Sequence, residues 1–274
     1  MKKSELVVKS NRLVEASYRL TLNEQRIILY AICRAREEQK GLFPNAPVVI
    51  AAEAFTKQFP SVDKTNVYHQ LREAMDALYD RSVTLYETDE DTGHEQVSKT
   101  RWISKASYVD GAGRIKVVFT SDVIKYINRL EGSFTSYELE KVGNMTSANA
   151  IRVYEMLAQY RDIGKRTISL KDLREMLQIG DDEYKLTADF KKWVIESAVT
   201  QVNKHSDLKV SYASVKTGRA ITDFAFKIED KVKAAAAAAK KEKKKATDQV
   251  VRDKLEANGQ QRIDTVPDDD GEEF

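Results

Sequence analysis

A single cysteine, Cys33, is all the thiol this 274-residue chain contains. One thiol cannot close an intrachain disulfide or supply a cysteine-based zinc site, and its place among apolar positions marks it as a small core residue rather than a nucleophile. The three histidines, His69, His94 and His205, lie far apart and form no HxH or HExxH pair. A rolling-circle nickase would need such a pair for its metal, so the 12 tyrosines alone do not make one. The phosphate loop of nucleoside triphosphatases and the nucleophile elbow of hydrolases are also missing. No catalytic constellation remains, and the expectation is a binding protein without metal or cofactor. Runs of about 18 apolar residues are absent, and MKKSELVVKS at the start has no apolar stretch of signal-peptide length. A soluble, cytoplasmic protein with no membrane partner is therefore expected. Net charge is scarce too, 45 Lys+Arg against 43 Asp+Glu, so total charge does not announce nucleic acid.

What the chain has is repetition. From Thr21 it reads as a helix (TLNEQRIILYAICRARE), a strand (VVI, 48–50), two helices (AAEAFTKQF and NVYHQLREAMDALY), a strand (SVTLY) and a long hairpin closing near Gly111 and Gly113. From Thr146 the order returns: helix (TSANAIRVYEMLAQY), strand (TIS, 167–169), helices (LKDLREML and ADFKKWVIESAVTQVN), strand (LKVSY) and a hairpin closing at Gly218. The offset is about 125 residues at the first helix, the third helix and the strand after it. Three helices with a terminal β-hairpin make a winged helix, whose third helix is sized for the major groove. The expected fold is α+β: two tandem winged-helix domains, over 1–130 and 131–229, followed by a tail over 230–274.

Details of the division follow from the same reading. Leu6, Leu13 and Leu20 suggest a lead-in helix over residues 1–20, while Thr21 and Glu24 form a capping box that starts a new helix. The leucines are therefore expected to pack into the first domain rather than form a zipper. Val123, Ile124, Ile127 and Leu130 make one apolar stripe, which predicts a helical connector between the domains. Beyond Glu229, AAAAAAKKEKKK has high helix propensity and nothing to bury. A partly helical segment over 231–245, then disorder to the acidic end DDDGEEF, is expected.

Candidate binding residues cluster in the second unit. From Lys185 to Arg219 there are seven Lys/Arg against three acids. On its third helix Phe190, Val194, Ala198 and Val202 recur every fourth residue as a core face, with Gln201 beside it and Ile195 at its margin. The opposite side carries Asp189, Lys192, Trp193, Glu196, Thr200 and Asn203, with Lys191 at the boundary. Lys185 and Thr187 precede the helix, where backbone amides and the dipole favour phosphate. Lys216 and Arg219 flank Gly218, so two cations stand at the wing tip, positioned for backbone or minor groove. In the first unit Lys64, Asn66, His69, Gln70 and Arg72 are the counterparts, on a face of more mixed sign. An ordinary amphipathic helix with solvated charges would show the same face; the repeat and the wing favour groove readout.

These residues resemble the theta-type plasmid replication initiators that bind iterons, often called the Rep 3 family. The resemblance covers about residues 7–228. It is carried by VKSNRLVEASYRLTLNEQRIILYAI, GRIKVVFTSDVIKYINRLEGSFTSYEL, SANAIRVYEMLAQY, DFKKWVIESAVTQVNKHSDLKVSY and KTGRAITDFAF, in that order. It implies two winged-helix domains that both contact double-stranded DNA when a monomer occupies an iteron, with the second domain's third helix reading bases through Lys191, Lys192 and their neighbours. It further implies a first domain that mediates dimerisation, dimers that repress at an inverted repeat, and a host replication initiator and replicative helicase as partners. A two-headed transcriptional regulator, or a protein scaffold built from winged helices, is the alternative of different class.

Overall fold

A computed structural model describes residues 5–39, 41–109, 111–128 and 133–263, the side chains of Arg252 and 255–263 excepted. The chain forms two compact units, one ending at Glu229 and one beginning at Asp230.

In the first unit the central element is helix α2 (Leu22–Glu38). The Thr21 hydroxyl accepts from the Glu24 amide and the Glu24 carboxylate from the Thr21 amide at 2.8 Å, so the capping box is formed. Residues from Glu24 to Cys33 are buried almost without interruption, the pattern of a helix surrounded on all sides. Burial pushes the Cys33 thiol up, which keeps it protonated and inert. Strand β2 (Val48–Ala51), helices α3 (Ala52–Gln58) and α4 (Val67–Tyr79), and strands β5 (Ile103–Val109) and β6 (Arg114–Phe119) complete the first winged helix. Its sheet runs β2-β6-β5.

The second repeats this plan. Helix α7 (Ala148–Ala158), strand β8 (Lys165–Ser169), helix α8 (Leu170–Met176), a helix over Thr187–His205, and strands β9 (Leu208–Thr217) and β10 (Ala220–Asp230) follow in order. The sheet runs β8-β10-β9, so in both copies the last strand lies in the middle. The repeat read from the sequence is real, with one correction. SVTLY begins β3 (Ser82–Thr88), which pairs with β4 (Glu95–Arg101) in a hairpin of its own. The topological counterpart of LKVSY is β5, so β3–β4 is an insertion absent from the second copy. EQVSKTR carries one large apolar residue, Val97, and alternates too weakly to have announced β4.

A further expectation changes at the start of the described chain. Instead of a lead-in helix, the described part of residues 1–20 holds strand β1 (Leu6–Ser10) and a five-residue helix α1 (Asn11–Glu15); residues 1–4 lie outside the described residues. Strand β1 pairs antiparallel with β7 (Phe134–Glu138), from Leu6↔Glu138 to Ser10↔Phe134. The β-branched pair Val7–Val8 suits a strand, but its partner is remote, and local periodicity cannot see it. Leu13 and Leu20 are buried in the first unit's core, as expected. The connector is a seven-residue helix α5 (Ser121–Ile127) followed by β7 and a one-turn helix α6 (Glu140–Gly143), with Val123, Ile124 and Ile127 buried as expected; Leu130 lies outside the described residues.

Between β1 and α7 lies a buried polar cluster. Lys9 and Glu155 are both fully buried and pair at 2.7 Å. Tyr137 donates to Glu155 at 2.6 Å. Arg152, one turn before Glu155, donates to the Tyr18 hydroxyl at 2.6 Å and the Ala16 carbonyl at 2.8 Å, with its guanidinium 3.7 Å from the centre of the Tyr18 ring. Burial by itself would raise the Glu155 carboxyl, but the Lys9 and Arg152 cations outweigh it and hold it below the usual range. Burial and the neighbouring Glu155 charge push the Tyr137 phenol well up.

In the second unit, described by itself, the tail is one helix α11 (Lys231–Ile263) of 33 residues, longer than the 231–245 expected. Residues 264–274, including the acidic end and its expected disorder, lie outside the described residues.

Glu155→Ala leaves Lys9 and Arg152 as uncompensated buried cations and is expected to cost about 3–5 kcal/mol, measured by chemical denaturation. The same carboxyl gives a pH signature. Its folded pKa lies below the unfolded value of about 4.3, so its stabilisation is complete above that value and is lost as pH falls through the folded one. A parent melting temperature that drops below about pH 4, with a shallower drop in Glu155→Gln, is the expected result.

Candidate nucleic-acid interface

The helix over Thr187–His205 is continuous but not uniform. Helix α9 (Thr187–Asp189) passes into a π-helical turn (Phe190–Glu196) and then into α10 (Ser197–His205). Its core residues recur every fourth position, and an α-helix of 3.6 residues per turn would rotate them by about 40° at each step. The wider π turn takes up part of that drift. Ile195 and Val199 are consequently buried beside Val194 and Ala198, so Ile195 is core and not margin.

The outward side is smaller than the sequence suggested. Lys192, Trp193, Glu196 and Thr200 are exposed, Trp193 at 57%. Lys192 Nζ lies 4.7 Å from the centre of the Trp193 indole, an exposed cation–π pair. Lys191 is half-buried and turns toward the wing strand, 6.0 Å from the Tyr212 ring centre and 3.7 Å from Glu196. Glu196 accepts from the Tyr212 hydroxyl at 3.0 Å, and burial together with this carboxylate pushes the phenol up to about 12. Asp189 is half-buried. Asn203 faces the sheet instead of solvent: its amide donates to the Val210 carbonyl at 2.8 Å and accepts from the Val210 amide, tethering α10 to β9.

Lys185 is exposed and Thr187 half-buried in the approach to α9. The approach is held by a residue that the sequence reading did not single out. Arg174 on α8 donates to the carbonyls of Gly180 and Glu183 at 3.0 Å and of Tyr184 at 2.6 Å, while stacking 4.8 Å from the Phe190 ring centre. One guanidinium thus fixes the loop to the start of the helix. At the wing, Gly218 has φ +62° at the first of two loop positions, the geometry that lets a two-residue turn follow the strand twist. Lys216 and Arg219 are exposed on either side of it.

In the first winged helix Lys64, Asn66, His69 and Arg72 are exposed and Gln70 half-buried. His69 faces Glu73 at 3.5 Å. Arg72 stacks 4.9 Å from the ring centre of Tyr108 on β5, and the Tyr108 hydroxyl bonds to Asp76. These contacts tie α4 to its wing. The pairings Ser107↔Lys116 and Val109↔Arg114, with Lys105 two residues before Ser107, put Lys105, Lys116 and Arg114 on one outer sheet face. Strand alternation in SKASYV and RIKVVF was the signal for them. Among the described residues no group of three or more His, Cys, Asp or Glu could hold a metal ion, and no described helix is long and apolar enough to cross a membrane.

Two winged helices in tandem, each presenting a third helix beside a hairpin, define a class of nucleic-acid-binding architecture. The chain belongs to the initiator replication protein family: the model described as "Initiator Replication protein, WH1" matches residues 6–158 and that described as "Initiator Rep protein, WH2" matches residues 169–228. A curated relative, an uncharacterized 27.6 kDa protein of Escherichia coli, is 22% identical over 82% of this chain and 94% of its own length. The crystal structure of Pi initiator protein in complex with iteron DNA shares the fold, with a TM-score of 0.62 and 19% identity over 83% of this chain and 98% of that one. The WH1 domain of a replication protein isolated from a multiple sclerosis patient is 34% identical, covering 41% of this chain and 83% of its own, at a TM-score of 0.35.

Arg174→Ala removes three charge-assisted hydrogen bonds at once. It is expected to cost about 2–3 kcal/mol and to speed amide exchange across residues 180–190 without unfolding the β-sheet. Exchange that stays at the parent rate there would remove Arg174 as the clamp.

Proposed function

We propose that this chain is a plasmid replication initiator that binds iteron repeats in double-stranded DNA at its origin and helps open it. It acts by binding, without catalysis. The carrying observation is the second winged helix, whose long helix exposes Lys192 and Trp193 beside a wing tipped by Lys216 and Arg219. Family membership supports the replication role, and the fold shared with an initiator solved on iteron DNA supports the mode.

Roles follow from chemistry. Lys192 supplies a donor for guanine edges or phosphate, and Trp193 offers an apolar face to thymine methyl groups. Glu196, oriented by Tyr212, accepts from a cytosine amino group. Lys185, Thr187, Lys191, Lys216 and Arg219 contact phosphate and set register. In the first winged helix Lys64, Asn66, His69, Gln70 and Arg72 face the neighbouring groove, where Glu73 and Asp76 weaken the field. The outer-face Lys105, Arg114 and Lys116 add backbone contacts. Residues 1–130 would serve DNA contact and dimerisation and 131–229 iteron readout. Dimers in equilibrium with the monomer would repress at an inverted repeat, and a host replication initiator and replicative helicase complete the partners.

Because the two reading helices differ in sequence, a monomer's target is non-palindromic and spans roughly two helical turns. Footprinting of the origin is expected to show direct repeats on one face; a palindromic target alone would favour the dimeric regulator instead. Lys192→Glu is expected to lose at least about 1–3 kcal/mol of specific affinity, about 5- to 160-fold, with an unchanged melting temperature. Arg72→Glu should lose less. If both variants bind the repeats like the parent, the assignment of reading helices fails.

A further inference from the structure

Helix α11 has an unusual composition for its length. Between Lys231 and Lys245 it carries seven lysines and one acid, Glu242, around a run of six alanines. With so little to pack against, the helix relies on intrinsic propensity, for which alanine and lysine are among the strongest residues. At 100° per residue Lys233, Lys240 and Lys244 fall within about 40° of one another, flanked by Lys243 and Lys241, while Glu242 lies on the far side. Lys240, Lys241, Lys243 and Lys244 are exposed.

Such a stripe suits a polyanion. It does not suit a protein groove, because the helix has no aromatic or leucine anchor among its described side chains. Nor does it suit a bilayer: among its described side chains the exposed large apolar residues are Val232, Val250 and Val251, too few and too scattered to insert. We propose that α11 is a second DNA contact, a lysine-striped helix that lies against duplex phosphates and holds the chain on DNA without regard to sequence. This rests on the DNA-binding reading above. Lysine ammonium groups bind phosphate as point charges and carry no base code, so the contribution is equal on every duplex. At 1.5 Å per residue the helix spans about 50 Å, more than one helical turn of DNA.

The test uses the full chain with Lys240, Lys241, Lys243 and Lys244 replaced by alanine. Alanine keeps the helix, which circular dichroism checks. Affinities for a duplex carrying the origin repeats and for a scrambled duplex of equal length are measured by fluorescence anisotropy from about 50 to 200 mM salt. Removing one lysine–phosphate interaction should flatten the log–log salt slope by about 0.9, so a decrease of about 2–4 is expected. Affinity for both duplexes should fall by the same factor, at least about tenfold at the low-salt end, leaving their ratio unchanged. An unchanged slope overturns the proposal. If parent but not variant then binds phosphatidylserine vesicles, the stripe serves a membrane surface instead. The two readings separate cleanly: a parent without preference for the origin duplex but with a lysine-dependent slope sinks the initiator reading and leaves the tail contact standing.

Discussion

Glu155 lies without solvent between Lys9 and Arg152, and the arrangement of the first unit depends on that carboxylate. Lys9 comes from the opening strand, and Arg152 and Glu155 come from α7, the helix that begins the second repeat. The cluster therefore ties the β1–β7 strand pair to the second copy of the motif. Desolvating three charges is expensive, and such a set holds only while each member is satisfied. Tyr18 and Tyr137 supply that satisfaction from either side. Around it run Arg166 to Glu15 at 2.7 Å and Gln178 to the Ser17 carbonyl at 3.3 Å. The two winged helices are consequently one packed body, with one continuous hydrophobic core, rather than beads on a linker.

That geometry bears on how α7 should be assigned. It packs against α10 of the second winged helix, yet its buried charges face the chain's opening strand, and the first family model extends through it to Ala158. A fixed relation between the third helices follows without a long connector helix. The connector is instead short, and β7 is pinned to β1 by five residue pairs.

Legibility in the sequence was uneven for physical reasons. Both three-helix units were visible because amphipathic period and capping are local, as at Thr21 with Glu24. The β1–β7 pair and the β3–β4 insertion were not, since one depends on a partner about 130 residues away and the other on weak alternation. On the helix over Thr187–His205, a four-residue core period located Phe190, Val194, Ala198 and Val202 correctly. It put Ile195 at the margin, because an ideal 100° wheel has no π turn in it. Arg174 and Asn203 bond backbone atoms whose positions exist only after folding, so nothing in their neighbours' identities marked them. The exposed cations Lys192, Lys216 and Arg219 needed no tertiary information and were readable directly.

The pairing of β1 with β7 also sets an order of events at the ribosome. Val8 cannot meet Ser136, nor Lys9 meet Glu155, until all the residues between them have been synthesised. Until then that strand is an unpaired edge carrying the β-branched pair Val7–Val8, and its Lys9 lacks the Glu155 counter-ion. Such long-range closure is slow and leaves the nascent first domain exposed to wrong strand partners.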